Sequence, residues 1–185
     1  SHKGLCGNFN TQLFEHLTQE INISSLQKQY DCIPIGRMAI EFAKEHKLQV
    51  LQQFRELSVT TLQNLSLDLA KSIFDFAKTY KTVIVYSNQS KSFFVQIPKT
   101  TQIIPYKEET KTESPDQQVY ATWPHKPQEI FNHVLGQALA TRMYYILFES
   151  LLSEQAARFV SMDSSTRNAK QILEDMQLEY NKRRQ

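Results

Sequence analysis

Apolar positions along this chain fall first at helical spacing, then in short continuous runs, then at helical spacing again. Phe9, Leu13, Phe14, Leu17 and Ile21 lie three or four residues apart behind Asn8 and Asn10, either of which can cap a helix. Asp31-Cys-Ile-Pro-Ile35, closed by Gly36, predicts a short buried strand, and Pro34 puts it near a sheet edge or a bulge. A modest amphipathic helix follows over 38–47. A stronger one starts at Ser58 and carries Leu62, Leu65, Leu69, Ile73, Phe76, Ala77 and Tyr80 on one face. Thr82-Val-Ile-Val-Tyr86 is continuous and β-branched, which predicts a strand buried on both faces. A turn at Ser87-Asn-Gln-Ser90 then leads to an extended stretch over 93–104. So short a connection excludes a parallel return and predicts an antiparallel hairpin.

Residues 106–118 are nearly all Lys, Glu, Thr, Ser, Asp, Gln and Pro and read as an exposed loop, with one more short strand expected over 119–123. From Gln128 onward the pattern is helical to the end, marked by Ile130, Val134, Ala138 and the run 143–148. Strands and helices that alternate in this way predict an α/β fold, a Rossmann-like layered sheet with flanking helices, followed by a long C-terminal coiled-coil helix. The expected division is an α/β domain over 1–149 and the start of the coiled-coil helix over 150–185.

The last helix carries the most information. Phe159, Met162, Thr166, Ala169, Leu173, Met176 and Tyr180 follow steps of 3, 4, 3, 4, 3 and 4. A strict seven-residue repeat is the seam of a coiled coil and is narrower than the face that packs a helix on a globular core. Thr166 and Ala169 are small enough to let a partner helix come close, while Asp163, Arg167, Lys170, Glu174, Asp175 and Lys182 keep the flanks wet. No second heptad helix is present to fill this seam, so its partner is expected in a missing part of the chain or in another chain.

Composition supports that picture. Only 4 of 185 residues are glycine, against a usual share of about 7%, which favours long helices over tight turns. Twenty-one basic against 19 acidic side chains leave a net charge of +2, too little to argue for nucleic acid. The longest apolar run, Met143-Tyr-Tyr-Ile-Leu-Phe148, stops at Glu149 and falls far short of the roughly 20 residues of a membrane span. Cys6 and Cys32 are too few for a disulfide framework and wrongly spaced for zinc, which points to a reducing compartment. The three Asn-x-Ser sequons then read as chance matches.

The chemistry on offer is thin. The turn from Lys3 through Gly4-Leu-Cys-Gly7 precedes a helix and could cradle an anion, yet it fits neither common phosphate motif, and a structural turn is the better reading. The histidines are scattered singly, and no nucleophile elbow is present. Lys182-Arg-Arg184 reads first as solvated helix surface and second as a contact to an acidic or carbonyl-lined protein surface. No catalytic, cofactor or metal residue is expected. Both ends look cut, because the chain opens on a turn that nothing precedes and its helix runs into Gln185 without a stop signal.

Ser1-His-Lys-Gly-Leu-Cys-Gly-Asn-Phe-Asn10 resembles the S-x-[KR]-G-L-C-G-x-x-N motif of the gamma subunit of F-type ATP synthases. Ser153-Glu-Gln-Ala-Ala-Arg158, Met162-Asp-Ser-Ser-Thr-Arg-Asn-Ala169 and Leu178-Glu-Tyr-Asn-Lys-Arg-Arg-Gln185 are similar, in register, to that family's C-terminal signature. The resemblance implies a central rotor stalk that carries torque between the membrane c-ring and the catalytic subunits without being catalytic itself. It also implies a piece that lacks the N-terminal helix, a first strand and the end of the C-terminal helix.

Implied partners are the alpha and beta subunits, the epsilon subunit and the c-ring, and the implied location is peripheral, on the cytoplasmic face of a bacterial inner membrane. Glu154 and Arg158 match positions tied to coupling, Arg184 and Gln185 match a pair that touches a loop of beta, and Tyr120 matches an aromatic near the c-ring and epsilon. Where the family has Y-x-x-E-P, this chain reads Tyr120-Ala-Thr-Trp-Pro124, so the acidic residue is replaced by Trp123. The unfilled seam implies non-native self-association of such a piece. The alternative is a small nucleotide- or phosphate-binding α/β protein that uses the Lys3–Gly7 turn. DNA binding through Lys182 to Arg184 is a third reading, which the balanced charge does not favour.

Overall fold

The computed structural model describes residues 4–20, 30–77, 79–105 and 127–185. Lys3, Ile21, the polar stretch 106–118, the strand expected over 119–123 and Tyr120 lie outside them. In chain order the elements are α1 (Phe9–Glu20), β1 (Asp31–Cys32), α2 (Arg37–Glu45), β2 (Gln49–Val50), α3 (Leu62–Phe76), β3 (Val83–Ser90), β4 (Gln96–Ile104) and α4 (Pro127–Arg184). Two compact units use these elements: one contains Ser1–Ser58, Asn88–Lys99 and Glu149–Gln185, the other Val59–Ser87 and Thr100–Phe148.

In the first unit, α1 and α2 form where the apolar spacing predicts them, and Phe14 of α1 stacks on Phe42 of α2 with ring centroids 4.4 Å apart. Gly36 enters α2 at φ 94° and Lys47 leaves it at φ 52°, so both ends use left-handed backbone. The strand expected over 31–35 is shorter than its apolar run. Asp31 and Cys32 pair in parallel with Gln49 and Val50, and the ladder resumes only as a single bridge between Ile35 and Phe54. Pro34 explains the gap, because it has no N–H to give. Its carbonyl still accepts from Phe54 N at 3.1 Å, and Gly36 N donates to Phe54 O at 2.7 Å. The pattern of apolar residues did not reveal β2, since both of its residues are exposed. A helix between two parallel strands makes a small βαβ unit, the connection such pairing requires.

In the second unit, α3 buries Leu62, Leu65, Leu69 and Ile73 of the stripe read from sequence, together with Ser66 and Ala70. The helix stops at Phe76, so Ala77 and Tyr80 lie beyond it, and Ala77 is exposed. Ile103 of β4 and Ala140, Met143, Ile146 and Leu147 of α4 supply the rest of that unit's buried apolar side chains among the described residues.

Two expectations about the hairpin need correction. The strand over 82–86 is not buried on both faces, since Ile84 is 41% exposed. The reason is topological: β3 is hydrogen-bonded only to β4 among the described residues. The reversal is also not at Ser87–Ser90, because β3 runs through them to Ser90. The chain turns instead over 91–95, where Lys91 N donates to Val95 O at 3.0 Å. A connection this short makes the pairing antiparallel, as expected.

Helix α4 begins on Pro127 and runs 58 residues, about 87 Å at the usual rise. Pro at the first helical position, Glu129 in the first turn and Lys182, Arg183 and Arg184 in the last all suit a helix macrodipole. The described residues thus combine mixed helices, two separate two-stranded sheets and one long C-terminal helix. The Rossmann-like layered sheet that the alternating pattern suggested is not seen among them, where the two sheets stay separate. No described helix is long and apolar enough to cross a membrane.

Leu62 is 1% and Leu67 40% exposed on the same helix. Leu62→Ala should lower stability by about 2–5 kcal/mol and Leu67→Ala by about 0.5 kcal/mol or less; urea melts of the chain measure both. The Cys32 thiol is pushed above its ordinary pKa by burial, and then by the neighbouring Asp31 charge. Its contribution is therefore complete below the unfolded thiol's pKa and is lost as pH rises beyond it. Cys32→Ser should flatten the alkaline arm of a stability-versus-pH curve, and alkylation of native Cys32 should lag behind that of free cysteine at mildly alkaline pH.

Candidate functional site

The residues that carry chemistry in this chain gather where α4 meets the opening turn and the hairpin, all within the first unit. The turn is built from unusual backbone: Gly4, Leu5 and Gly7 have φ of 69°, 57° and 58°. Glycine takes such angles freely, whereas Leu5 pays about 1 kcal/mol or more to adopt them. A Cβ on Gly7 would lie 3.8 Å from Ser161 of α4, an ordinary contact, so it is the backbone angle and not space that asks for glycine here.

Between the two glycines, Cys6 points inward and is buried with Phe9 and Ala157. Asn10 donates to the Cys6 sulfur at 3.4 Å. Helix α1 begins directly behind, its Phe9 N–H turned back to the Cys6 carbonyl at 3.2 Å.

Arg158 ties this turn to α4. Its Nε donates to the Gly4 carbonyl at 3.1 Å, and one terminal nitrogen donates to Gln155 at 2.9 Å. The other makes a short ion pair with Glu154, one helical turn back. The side chains of Glu154 and Arg158 are only 11% and 13% exposed. Water screens such a pair weakly, and removing one partner would leave the other charge buried and uncompensated. Only a planar guanidinium can serve three acceptors in these directions at once.

On another flank of α4 the hairpin is fastened by polar side chains. Asn88 Nδ2 donates to the Phe9 carbonyl at 2.8 Å, and Gln89 Nε2 donates to Glu149 at 2.7 Å. The Ser90 and Ser153 hydroxyls meet at 2.9 Å, and Ser153, which has no exposed surface, also donates to the Glu149 carbonyl at 2.8 Å. At the hairpin tip the Phe93 ring meets Phe159 edge-on, 5.4 Å between centroids.

Beyond this joint α4 is bare. Every residue over 162–185 is exposed, including Met162, Leu173, Met176 and Tyr180, with Tyr180 at 66%. Arg167 with Asp163 and Arg183 with Glu179 form exposed ion pairs along it, each 2.6 Å, and each is worth only a few tenths of a kcal/mol. An exposed row of large apolar side chains on one helix is the mark of a surface that meets another protein surface.

The structure therefore brings Glu154 and Arg158 together as an internal pair and holds Phe159 at the root of the seam. Thr166, Ala169 and the other seam residues lie along the bare arm, and Arg184 and Gln185 at its tip. Tyr120 is outside the described residues. Among the described residues no group of His, Cys, Asp or Glu could hold a metal ion, and the shallow depressions on α4 face open surface.

Two features escaped the reading of the sequence. The first is the hairpin's polar fastening, hidden because Ser87-Asn-Gln-Ser90 looks like a turn. The second was legible: the 3–4 spacing reaches back through Gln155 and Leu152. In the other unit it continues through Phe148, Tyr145, Thr141, Ala138, Val134 and Phe131, all exposed.

Comparisons with known proteins agree with one another. The family model described as ATP synthase matches residues 1–185. The ATP synthase gamma chain of Pelagibacter ubique is 29% identical over 190 residues, covering 100% of this chain and 65% of its own length. That of Ruthia magnifica is 30% identical over 190 residues, with 100% and 65% covered. The central stalk/c-ring structure of the Tetrahymena thermophila mitochondrial ATP synthase superposes with a TM-score of 0.69 at 17% identity, covering 90% of this chain and 73% of that one; at that identity it speaks for the fold alone. The chain spans 63–65% of the length of the first curated relatives it matches.

Arg158→Ala should lower stability by about 3 kcal/mol or more, because it strands the Glu154 carboxylate. Arg158→Lys should recover less than half of that loss, since an ammonium cannot reach all three acceptors. Chemical denaturation of the three proteins side by side checks the order, and a lysine variant as stable as the parent would contradict the geometry.

Proposed function

This chain belongs to the ATP synthase family, and from that membership we propose that it is the central-stalk rotor subunit of a proton-translocating F-type ATP synthase. It transmits torque between a membrane c-ring and the catalytic subunits and performs no chemistry itself. The observation that carries this reading is the bare arm of α4. A helix that holds a seven-residue apolar repeat fully in water is built to be covered by a partner helix. The curated relatives named ATP synthase gamma chain and the stalk structures with the same fold support the assignment.

In this reading Phe159, Met162, Thr166, Ala169, Leu173, Met176 and Tyr180 form the coiled-coil seam, and the packed pair of helices supplies torsional stiffness. Arg184 and Gln185 meet the beta subunit, and Tyr120 lies toward epsilon and the c-ring. Glu154 and Arg158 serve coupling from inside the chain, by holding the turn to the shaft. The division into an α/β foot over 1–149 with Rossmann-like layering and a shaft over 150–185 belongs to the same proposal. So does a peripheral position on the cytoplasmic face of a bacterial inner membrane. ATP is made or hydrolysed on the neighbouring subunits, which suits a chain whose buried ion pair, Glu154 with Arg158, fastens its own turn to its own helix.

The test is rotation. The full-length protein, assembled with alpha, beta and epsilon subunits and labelled on its foot domain, should turn when ATP is supplied. Leu173→Asp with Met176→Asp should abolish assembly or rotation. A complex that hydrolyses ATP while this subunit stays still would overturn the assignment.

A further inference from the structure

A rotor helix must resist two different motions at its root: pulling away from its domain, and turning about its own axis within it. Apolar packing opposes the first well. It opposes the second only where large side chains interlock, whereas hydrogen bonds weaken steeply once donor and acceptor lose their alignment. The polar contacts on α4 are arranged accordingly. Glu149 and Ser153 lie one turn apart on one flank and take the hairpin's Gln89 and Ser90 at 2.7 and 2.9 Å. Glu154 and Arg158 lie one turn apart on another flank and take the opening turn at the Gly4 carbonyl. At 3.6 residues per turn these flanks are roughly 140° apart around the helix, and the whole set fits within about 14 Å along it. Over this stretch the helix buries Leu151, Ala156 and Ala157; of these Ala157 lies between the two flanks, a side chain too small to lock a rotation by shape.

We propose that Gln89 and Ser90, through Glu149 and Ser153, are torsion-positioning residues: with Arg158 on the other flank they pin α4 against turning about its own axis under load. The pin explains why a β-strand carries the polar sequence Ser87-Asn-Gln-Ser90 where a turn would be read. It also explains why Ser153 is entirely buried: a hydroxyl sits there to hold a partner, where an alanine would pack as well. Nothing in this arrangement binds substrate; it decides how much of an applied twist reaches the foot. The inference rests on the rotor reading above.

The experiment uses the full-length protein in the complete complex, reconstituted in vesicles, with ATP hydrolysis and ATP-driven ion uptake measured together. Gln89→Leu combined with Ser90→Ala should keep hydrolysis while the ions moved per ATP fall severalfold, and Ser90→Thr alone should retain coupling. A loss of stability by itself would lower hydrolysis and uptake together and would not change their ratio. The second arm does not depend on the first: Ser90→Cys with Ser153→Cys, oxidised to a disulfide in the assembled complex, should pump as well as the parent. Wild-type coupling in the Gln89→Leu, Ser90→Ala protein would overturn the pin, and so would arrest of pumping by the disulfide, which would show that hairpin and helix must slip past each other. If the parent complex hydrolyses ATP but moves no ions, the rotor reading itself falls and takes the pin with it.

Discussion

The Arg158 guanidinium ties the Gly4 carbonyl of a left-handed turn to the long helix, where it also meets the buried Glu154 carboxylate and the side-chain oxygen of Gln155. The turn spends conformational energy on Leu5 at positive φ, and the carboxylate spends hydration energy on its burial. One planar cation offsets both by reaching across from the long helix. The position of α1 follows from that turn, because Cys6, Phe9 and Ala157 close the gap beneath it. The position of the hairpin follows from α1, through the Asn88 bond to the Phe9 carbonyl.

Helix α4 thus has two regimes. Near Glu149 to Arg158 its polar groups are matched to partners in the same unit, and its small and medium apolar residues face inward. Past Ser161 it has no partner among the described residues, yet it keeps the apolar repeat. A free helix of this length in water gains little from propensity and a few exposed ion pairs. The repeat therefore has meaning only in an assembly, and in the rotor reading the same helix is anchored at its root and grips a second helix beyond it. Strength at the root is polar and directional, and strength along the arm is apolar and spread over many contacts.

Much of the helical part of this fold was readable from residue spacing. The stripe of Leu62, Leu65, Leu69 and Ile73 predicted a helix that the structure places at Leu62–Phe76, with those side chains buried. The sheets were less legible, for identifiable reasons. Pro34 breaks a strand that its apolar neighbours promise, because it lacks an N–H. The segment Ser87-Asn-Gln-Ser90 is a strand despite its turn-like composition, because its amide and hydroxyl groups find bonding partners on α1 and α4, contacts far apart in sequence. Gln49 and Val50 carry no pattern at all and are paired by the reach of α2.

By itself, then, the sequence determined the local and periodic features: which segments coil, where the heptad seam runs, and which short motifs mark the family, since these depend on neighbours within a turn or two of the chain. Only the tertiary structure decided which polar residues are fasteners. Glu154 and Arg158 could as well have been surface groups that wait for another subunit, and Ser90 and Ser153 could have been idle. Bonds between residues 63 and 154 positions apart bury them instead, and hydrogen bonding across such separations depends on how the elements pack, which no local spacing records.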